Sequence, residues 1–293
     1  MSFPCELKHD FLFVSDIDGT LINPQAQLTD YSRDELGKLL GEGMPFTVAS
    51  GRGLIEMYDV IKGIPFEFPV VEKNGSYITD FHTGKHLCVQ AMDREITGQV
   101  IEKSLSEGIS PFFFCYDGTE DLMFHAPPSN ERIAVWLKAR QAKGDPRLRA
   151  VPRLTVGEFI QPVCITTIGP KQAVERILRW VEANHSESLR AHMYEDPYGP
   201  GWWWIEIHDY FATKGHGLET LCKMVGLDMA HVTVVGDETN DIPMFRMAGH
   251  SAAMGNAPEE VKHFAKEVIG TNSEDSTVKY LRAQWDQKRK KIV

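Results

Sequence analysis

Phe11-Leu12-Phe13-Val14-Ser15-Asp16-Ile17-Asp18-Gly19-Thr20 decides the fold. Five compact residues, four of them apolar, end in two carboxylates and a glycine, which predicts a buried strand running into a polar loop. Residues two apart on a strand share a side, so the Asp16 and Asp18 side chains are expected to converge if the strand geometry persists. Two close carboxylates repel and call for a cation or a proton between them. One ionised carboxylate can attack phosphorus while a protonated neighbour serves the leaving oxygen. The competing reading is a plain strand-ending turn, for which Asp and Gly are ordinary residues.

Outward from this stretch the chain alternates strands and helices. Apolar spacing predicts a helix over 29–42 with Thr29 or Asp30 as its N-cap, a strand over 45–49, and a helix opened by Gly51-Arg52-Gly53 and running through Ile61. A strand over 69–72, the turn Asn74-Gly75 and a short hairpin strand at Tyr77 and Ile78 follow. This alternation implies right-handed βαβ units and a parallel sheet. Near His82 the rhythm changes to helix 94–107, strands 111–116 and 120–125, helix 129–142, a strand region around 158–168, helix 171–184, and strands 189–195 and 202–208. That order reads as a separate α+β layer with an antiparallel sheet, its last two strands joined by the turn residues Asp196 to Gly201. The parallel rhythm resumes with helix 214–225, strand 231–235 and helix 240–248, then a short strand and a helix to the end. The Lys288-Arg289-Lys290-Lys291 run reads as a solvated tail.

Three further constellations follow the same pattern. Ser50-Gly51-Arg52 places a hydroxyl and free N–H groups where a helix begins, a ready phosphate cradle, although Ser50 serves equally well as a plain N-cap. Arg52 either reaches substrate or pairs with a nearby carboxylate. Lys214 opens a helix, where its charge opposes the helix dipole; it makes sense there if it offsets phosphate and carboxylate charge, and otherwise it is an ordinary surface lysine. Gly236-Asp237-Glu238-Thr239-Asn240-Asp241 follows a buried strand and gathers three acids and an amide. Such a group is costly unless it binds something, and hard oxygen ligands suit Mg²⁺. Asn240 and Asp241 have the alternative role of capping the next helix.

The chain has 293 residues and a formal net charge of −10 at pH 7, with 42% apolar residues. Its length exceeds one ordinary core, so one large or two modest domains are expected, and the acidic balance argues against a nucleic-acid-binding surface. The five cysteines are scattered without a C-x-x-C pair, which indicates neither zinc nor a disulfide framework and points to a reducing, cytoplasmic setting. No run approaches the ~20 apolar residues of a membrane span, and the first ten residues lack the pattern of a signal peptide.

Taken in order, these features resemble the haloacid-dehalogenase-like (HAD) superfamily of phosphotransferases. Asp16-x-Asp18-Gly19-Thr20 matches its first motif, Ser50 its second, Lys214 its third, and Gly236-Asp237-x-x-Asn240-Asp241 its fourth. Ser50-Gly51-Arg52, Asn74-Gly75 and the long insertion resemble the Cof-like branch with its type IIB (C2B) cap. The resemblance implies an α/β, Rossmann-like parallel-sheet core over 1–82 and 209–293 with an inserted α+β cap over 83–208, which closes over the core and selects substrate. It further implies Asp16 as nucleophile, Asp18 as general acid and then base, and Lys214 as a phosphate ligand that restrains Asp16. Ser50, Gly51, Arg52, Asn74 and Asn240 are implied around the substrate phosphate. Mg²⁺ is implied at Asp16, Asp237 and the Asp18 backbone carbonyl, with Asp241 in support. The expected substrate is a small-molecule phosphate ester, first of all a phosphosugar. A hexose phosphomutase and a non-catalytic sugar-phosphate sensor are the competing expectations. The runs Phe112-Phe113-Phe114 and Trp202-Trp203-Trp204 are expected as strands whose alternate side chains pack on helices, with one or two rings left for a ligand.

Overall fold

A computed structural model describes residues 9–157, 160–196 and 198–292. The chain divides into two compact units, 1–88 with 212–293, and 89–211.

The first unit begins with β1 (Leu12–Ser15), every residue of which is buried. Helix α1 (Asp30–Gly41) follows, its N-cap Thr29 accepting a hydrogen bond from Ser32 N. Next come β2 (Phe46–Val48), α2 (Leu54–Ile61), and the strands β3 (Val70–Glu72), β4 (Tyr77–Thr79) and β5 (His86–Val89). The change of rhythm expected at His82 falls a few residues later, because residues 80–85 are the turn of a hairpin whose second strand, β5, pairs with β4.

The second unit contains α3 (Arg94–Ser106), β6 (Phe112–Tyr116), β7 (Asp121–His125), α4 (Glu131–Ala142), β8 (Leu148–Ala150), β9 (Gln161–Pro170), α5 (Lys171–His185), β10 (Leu189–Glu195) and β11 (Trp202–Asp209). Its six strands form one sheet in the order β10-β11-β9-β6-β7-β8. β10 and β11 are the expected antiparallel hairpin, closed by Asp196 N donating to Trp202 O at 2.8 Å. Phe112 and Phe113 are both buried: Phe112 meets Trp136 of α4 with ring centroids 4.4 Å apart, while Phe113 stacks on Phe124, its partner on the neighbouring strand. Trp204 is buried, whereas Trp202 and Trp203 are half-buried.

The chain then returns to the first unit through α6 (Lys214–Val225), β12 (Val232–Gly236), α7 (Ile242–Met247), β13 (His250–Ala253), α8 (Glu259–Lys262), β14 (Glu267–Val268) and α9 (Ser276–Ile292). The stretch after α7 therefore holds two strands and a short helix where the sequence predicted one strand. Lys288 to Lys291 lie inside α9 and are no tail; the Lys288 ammonium sits 4.3 Å from the Phe11 ring centroid.

The sheet order is β14-β13-β12-β1-β2, all parallel, with a further parallel bridge from Ala49 to Val71 that continues it to β3. Alternate residues of β1 feed different cores: Phe13 packs with Leu36, Phe46 and Trp285 on one face, and Leu12 and Val14 pack with Leu218, Leu221 and Val234 on the other. A sheet buried on both faces has only its strand ends left for chemistry, and in parallel α/β sheets ligands gather beyond the carboxyl ends. No helix among the described residues is long and apolar enough to cross a membrane. Of the cysteines, Cys115, Cys164 and Cys222 are buried and Cys88 is half-buried; Cys5 lies outside the described residues.

Candidate active site

The loops leaving β1, β2, β3 and β12 and the first turn of α6 bring the residues singled out in the sequence to one end of the sheet. Asp16 directly follows β1 and is tied to its neighbour by Asp16 N donating to Val235 O at 2.9 Å. The strand geometry does not persist past it. Residues Ile17–Leu21 form one wide turn in which Asp18 is extended (φ −74°, ψ 133°) and Gly19 is left-handed (φ 68°). Asp16 is buried, while the Asp18 side chain is 52% exposed and grips Arg52.

Asp16 converges with Asp237 and Asp241, whose carboxylate oxygens lie within 4.8 Å of one another, all three residues buried. Lys214 is the cation that holds this group together. Its side chain is fully buried, with Nζ 2.7 Å from Asp16 Oδ1 and 2.6 Å from Asp241 Oδ1. Burial alone would lower the lysine pKa, but the two carboxylates outweigh it and raise it, so the ammonium stays charged. The plain surface-lysine reading is thereby excluded. Thr213 caps α6 by accepting from His216 N, and two glycines let the helix start approach its neighbours. A Cβ on Gly215 would lie 2.7 Å from Pro243 C, and one on Gly217 would lie 2.8 Å from the Gly75 Cα. Gly75 itself is left-handed (φ 95°), and a Cβ there would meet Thr213 O at 2.2 Å.

The β12 loop is organised around Asp241. Its Oδ2 accepts from Asp237 N at 2.8 Å and Glu238 N at 3.0 Å, completing a capping box with Glu238 over the turn Thr239–Asp241. Of the two roles weighed from the sequence, capping is seen for Asp241 at this turn, and its other oxygen meets Lys214, a contact the sequence did not indicate. Glu238 and Asn240 are exposed. Asp237 accepts from Thr20 Oγ1 at 2.7 Å and from Asn256 Nδ2 at 3.3 Å. Burial pushes the Asp237 carboxyl up to about 6, and burial raises Asp16 well above the ordinary range despite Lys214.

These shifts test whether a cation fits. Three buried carboxylates face one ammonium, so the group carries more negative charge than the protein neutralises. An all-oxygen, hard donor set with that excess suits a divalent cation of the Mg²⁺ kind. Asp16, Asp237 and Asp241 form the group that could hold it; the Asp18 carboxylate does not belong to that cluster.

The β2 and β3 loops are zipped together. Asn74 N donates to Ser50 O and Lys73 N to Arg52 O, both at 3.0 Å. Helix α2 starts at Leu54 with Gly53 as its N-cap, later than the sequence suggested. Ser50 is therefore not a helix cap: it is buried, and its Oγ accepts from Arg52 N at 3.1 Å. Arg52 binds Asp18 with Nε to Oδ2 at 2.7 Å and Nη2 to Oδ1 at 2.6 Å, which takes up the second of its two expected roles. Asn74 sits at φ 55° and accepts from Asn240 Nδ2 at 3.0 Å, so these two amides bridge the β3 and β12 loops. Asn256, which sequence reasoning missed, also contacts the site; its only sequence signal is a carboxamide in a loop following a short apolar strand.

The family model for haloacid dehalogenase-like hydrolases matches residues 13–281. The chain is 24% identical over 288 residues to the Bacillus subtilis 5-amino-6-(5-phospho-D-ribitylamino)uracil phosphatase YwtE, covering 91% of this chain and 95% of that protein. It is 26% identical over 276 residues to the Escherichia coli pyridoxal phosphate phosphatase YbhA, again covering 91% and 95%. Its fold is similar to a haloacid dehalogenase-like hydrolase structure from Bacteroides thetaiotaomicron, with a TM-score of 0.73 and 20% identity, covering 94% of this chain and 99% of the other. The chain belongs to the haloacid dehalogenase-like hydrolase family, as a phosphoric monoester hydrolase.

Proposed function

We propose that this protein is a Mg²⁺-dependent phosphatase that hydrolyses a small phosphorylated metabolite through an aspartyl-phosphate on Asp16. The observation that carries the reading is the contact of Asp16 Oδ1 with the buried Lys214 ammonium at 2.7 Å, inside a cluster of three carboxylates. Lys214 holds one Asp16 oxygen and leaves the other to attack phosphorus, and its charge offsets that of the arriving phosphoryl group. A bound divalent cation supplies further charge neutralisation at the phosphoryl oxygens. Ser50, Gly51, Asn74 and Asn240 line the neighbouring loops with hydroxyl, N–H and carboxamide donors for the same group.

In the first half-reaction the Asp16 carboxylate forms a bond to phosphorus as the ester oxygen leaves, and Asp18 gives that oxygen its proton. In the second, Asp18 takes a proton from water, which attacks phosphorus and returns Asp16. Asp18 is suited to this exchange because its side chain is half exposed and it stands two residues from the nucleophile. Residues 89–211 are assigned substrate choice, with phosphosugars the first class to examine. The ribityl and pyridoxal phosphates in the names of the relatives YwtE and YbhA widen that panel to other small phosphate esters. The reading carries with it a cytoplasmic setting and no nucleic-acid or membrane partner.

The test is phosphate release from such a panel with Mg²⁺ and with EDTA. Mg²⁺-dependent turnover of a few esters supports the reading. Folded protein that binds Mg²⁺ but releases no phosphate from any of them contradicts it, and a rate that depends on added sugar bisphosphate points to a mutase.

A further inference from the structure

Asp237 is held at both oxygens. Thr20 Oγ1 donates to Oδ1 at 2.7 Å, and Asn256 Nδ2 donates to Oδ2 at 3.3 Å. The same Asn256 amide donates to Gly19 O at 2.9 Å, so one side chain ties the turn after Asp16 to the Asp237 carboxylate. Its other end is anchored too: Oδ1 accepts from Asn272 N at 2.9 Å. Asn272 Nδ2 in turn donates to Ile22 O at 2.8 Å, and Thr277 Oγ1 to Thr20 O at 2.8 Å, which fixes the far side of that turn.

This arrangement has a physical purpose. The terminal torsion of an aspartate is soft, so its carboxylate plane is set by hydrogen-bond partners and not by its own rotamer. Asp237 also faces Asp16 and Asp241, whose charges push it away from the orientation in which their oxygens share one centre. A carboxamide at 256 meets three demands at once: a donor for the carboxylate, the same donor for the Gly19 carbonyl, and an acceptor for a backbone N–H. Aspartate there would add a further negative charge, and an apolar residue would leave Asp237 Oδ2 without this donor. Gly19 makes the closeness possible, since a Cβ on it would lie 2.0 Å from Asp237 Oδ2.

We propose that Asn256 is a positioning residue that clamps Asp237 against the Gly19 turn and so preforms the Asp16–Asp237 donor pair for a divalent cation. This rests on the metal-dependent reading of the site. Partners of this kind, one step removed from a metal, orient its ligands and typically contribute about ten- to a hundredfold in metal affinity.

The experiment is direct titration of the full chain with Mn²⁺, followed by calorimetry or by loss of the free Mn²⁺ resonance signal, which needs no turnover. Wild type, Asn256→Ala and Asp237→Asn are compared, and melting of each in EDTA records any purely structural loss from the freed Asn272 N–H. Asn256→Ala is expected to raise the Mn²⁺ Kd about ten- to a hundredfold, and Asp237→Asn to abolish binding. Wild-type Mn²⁺ affinity in Asn256→Ala, with Asp237→Asn inactive in binding, overturns the role of Asn256 alone, whatever happens to its melting temperature. Wild-type affinity in Asp237→Asn overturns the metal reading and this proposal with it. Should Asn256→Ala not fold, Asn256→Ser is read in the same titration, and an unchanged Kd there overturns the proposal equally.

Discussion

Arg52 holds Asp18 in a fork, with Nε on one carboxylate oxygen at 2.7 Å and Nη2 on the other at 2.6 Å, and its Nη1 is braced on Glu56 O at 3.2 Å. Each Asp18 oxygen thereby carries one Arg52 contact, so Arg52 competes with a leaving oxygen for Asp18. Arg52 is expected to exchange Asp18 for the anionic ester. Lysine cannot reproduce a planar two-point grip. Arg52→Lys is therefore expected to lower kcat by about tenfold or more on alkyl phosphates, whose leaving oxygen needs a proton. The loss should be smaller on p-nitrophenyl phosphate, whose leaving group needs none. Equal losses on both substrates would remove Arg52 from any link with Asp18.

Lys214 is the single buried ammonium among three buried carboxylates. Lys214→Met keeps most of the volume and removes the charge. Breaking a buried ion group by deleting one partner typically costs about 3–5 kcal/mol. Urea unfolding in EDTA is expected to show a loss of that order, partly restored by Mg²⁺, together with loss of turnover. Unchanged stability in EDTA would contradict the charge balance described for the site.

Gly19→Ala tests the closeness of the two loops. The residue is left-handed at φ 68°, and its Cβ would overlap Asp237 Oδ2. The variant is expected to lose metal affinity and turnover together, measured by Mn²⁺ titration and phosphate release. Wild-type values for both would show that the turn and Asp237 are not packed as described.

The second unit has its own pH signature. Burial alone would raise the Asp196 pKa, but Arg132, with Nε 2.6 Å from Oδ2, and the Tyr198 N–H hold it below the ordinary carboxylate range. A depressed folded-state pKa contributes stability that is present above the unfolded value, about 4, and is lost as pH falls through the folded value. Wild type should thus lose more stability than Asp196→Asn as pH falls below about 4, read by thermal melting. Parallel loss in both proteins would contradict the pairing.

Much of this was legible in the sequence because it depends on local pattern. Four of the five residues from Phe11 to Ser15 are apolar, the pattern of a strand buried on both faces, which puts the following acids at its carboxyl end. Asp237 and Asp241 were legible for the same reason. What the sequence hid depends on contacts between distant segments. Nothing local to Asn256 shows that its amide reaches Gly19 and Asp237, respectively 237 and 19 residues away. The burial of Lys214 rests on Gly215 and Gly217 meeting Pro243 and Gly75, and helical glycines carry no partner information by themselves. The alternation expected of Asp16 and Asp18 was not legible because the wide turn already begins at Ile17, between the two acids, so the strand pattern ends before Asp18.

The most direct test of the central account is chemical trapping of the phosphorylated enzyme. The protein is mixed with Mg²⁺ and excess of a turned-over ester, quenched in acid, reduced with borohydride and mapped by peptide mass. An acyl phosphate on an aspartate is reduced to homoserine, so the account predicts homoserine at position 16, dependent on both Mg²⁺ and ester and absent from Asp16→Asn, whose kcat should fall about a thousandfold or more. Trapping at another residue, or full turnover by Asp16→Asn, would contradict it.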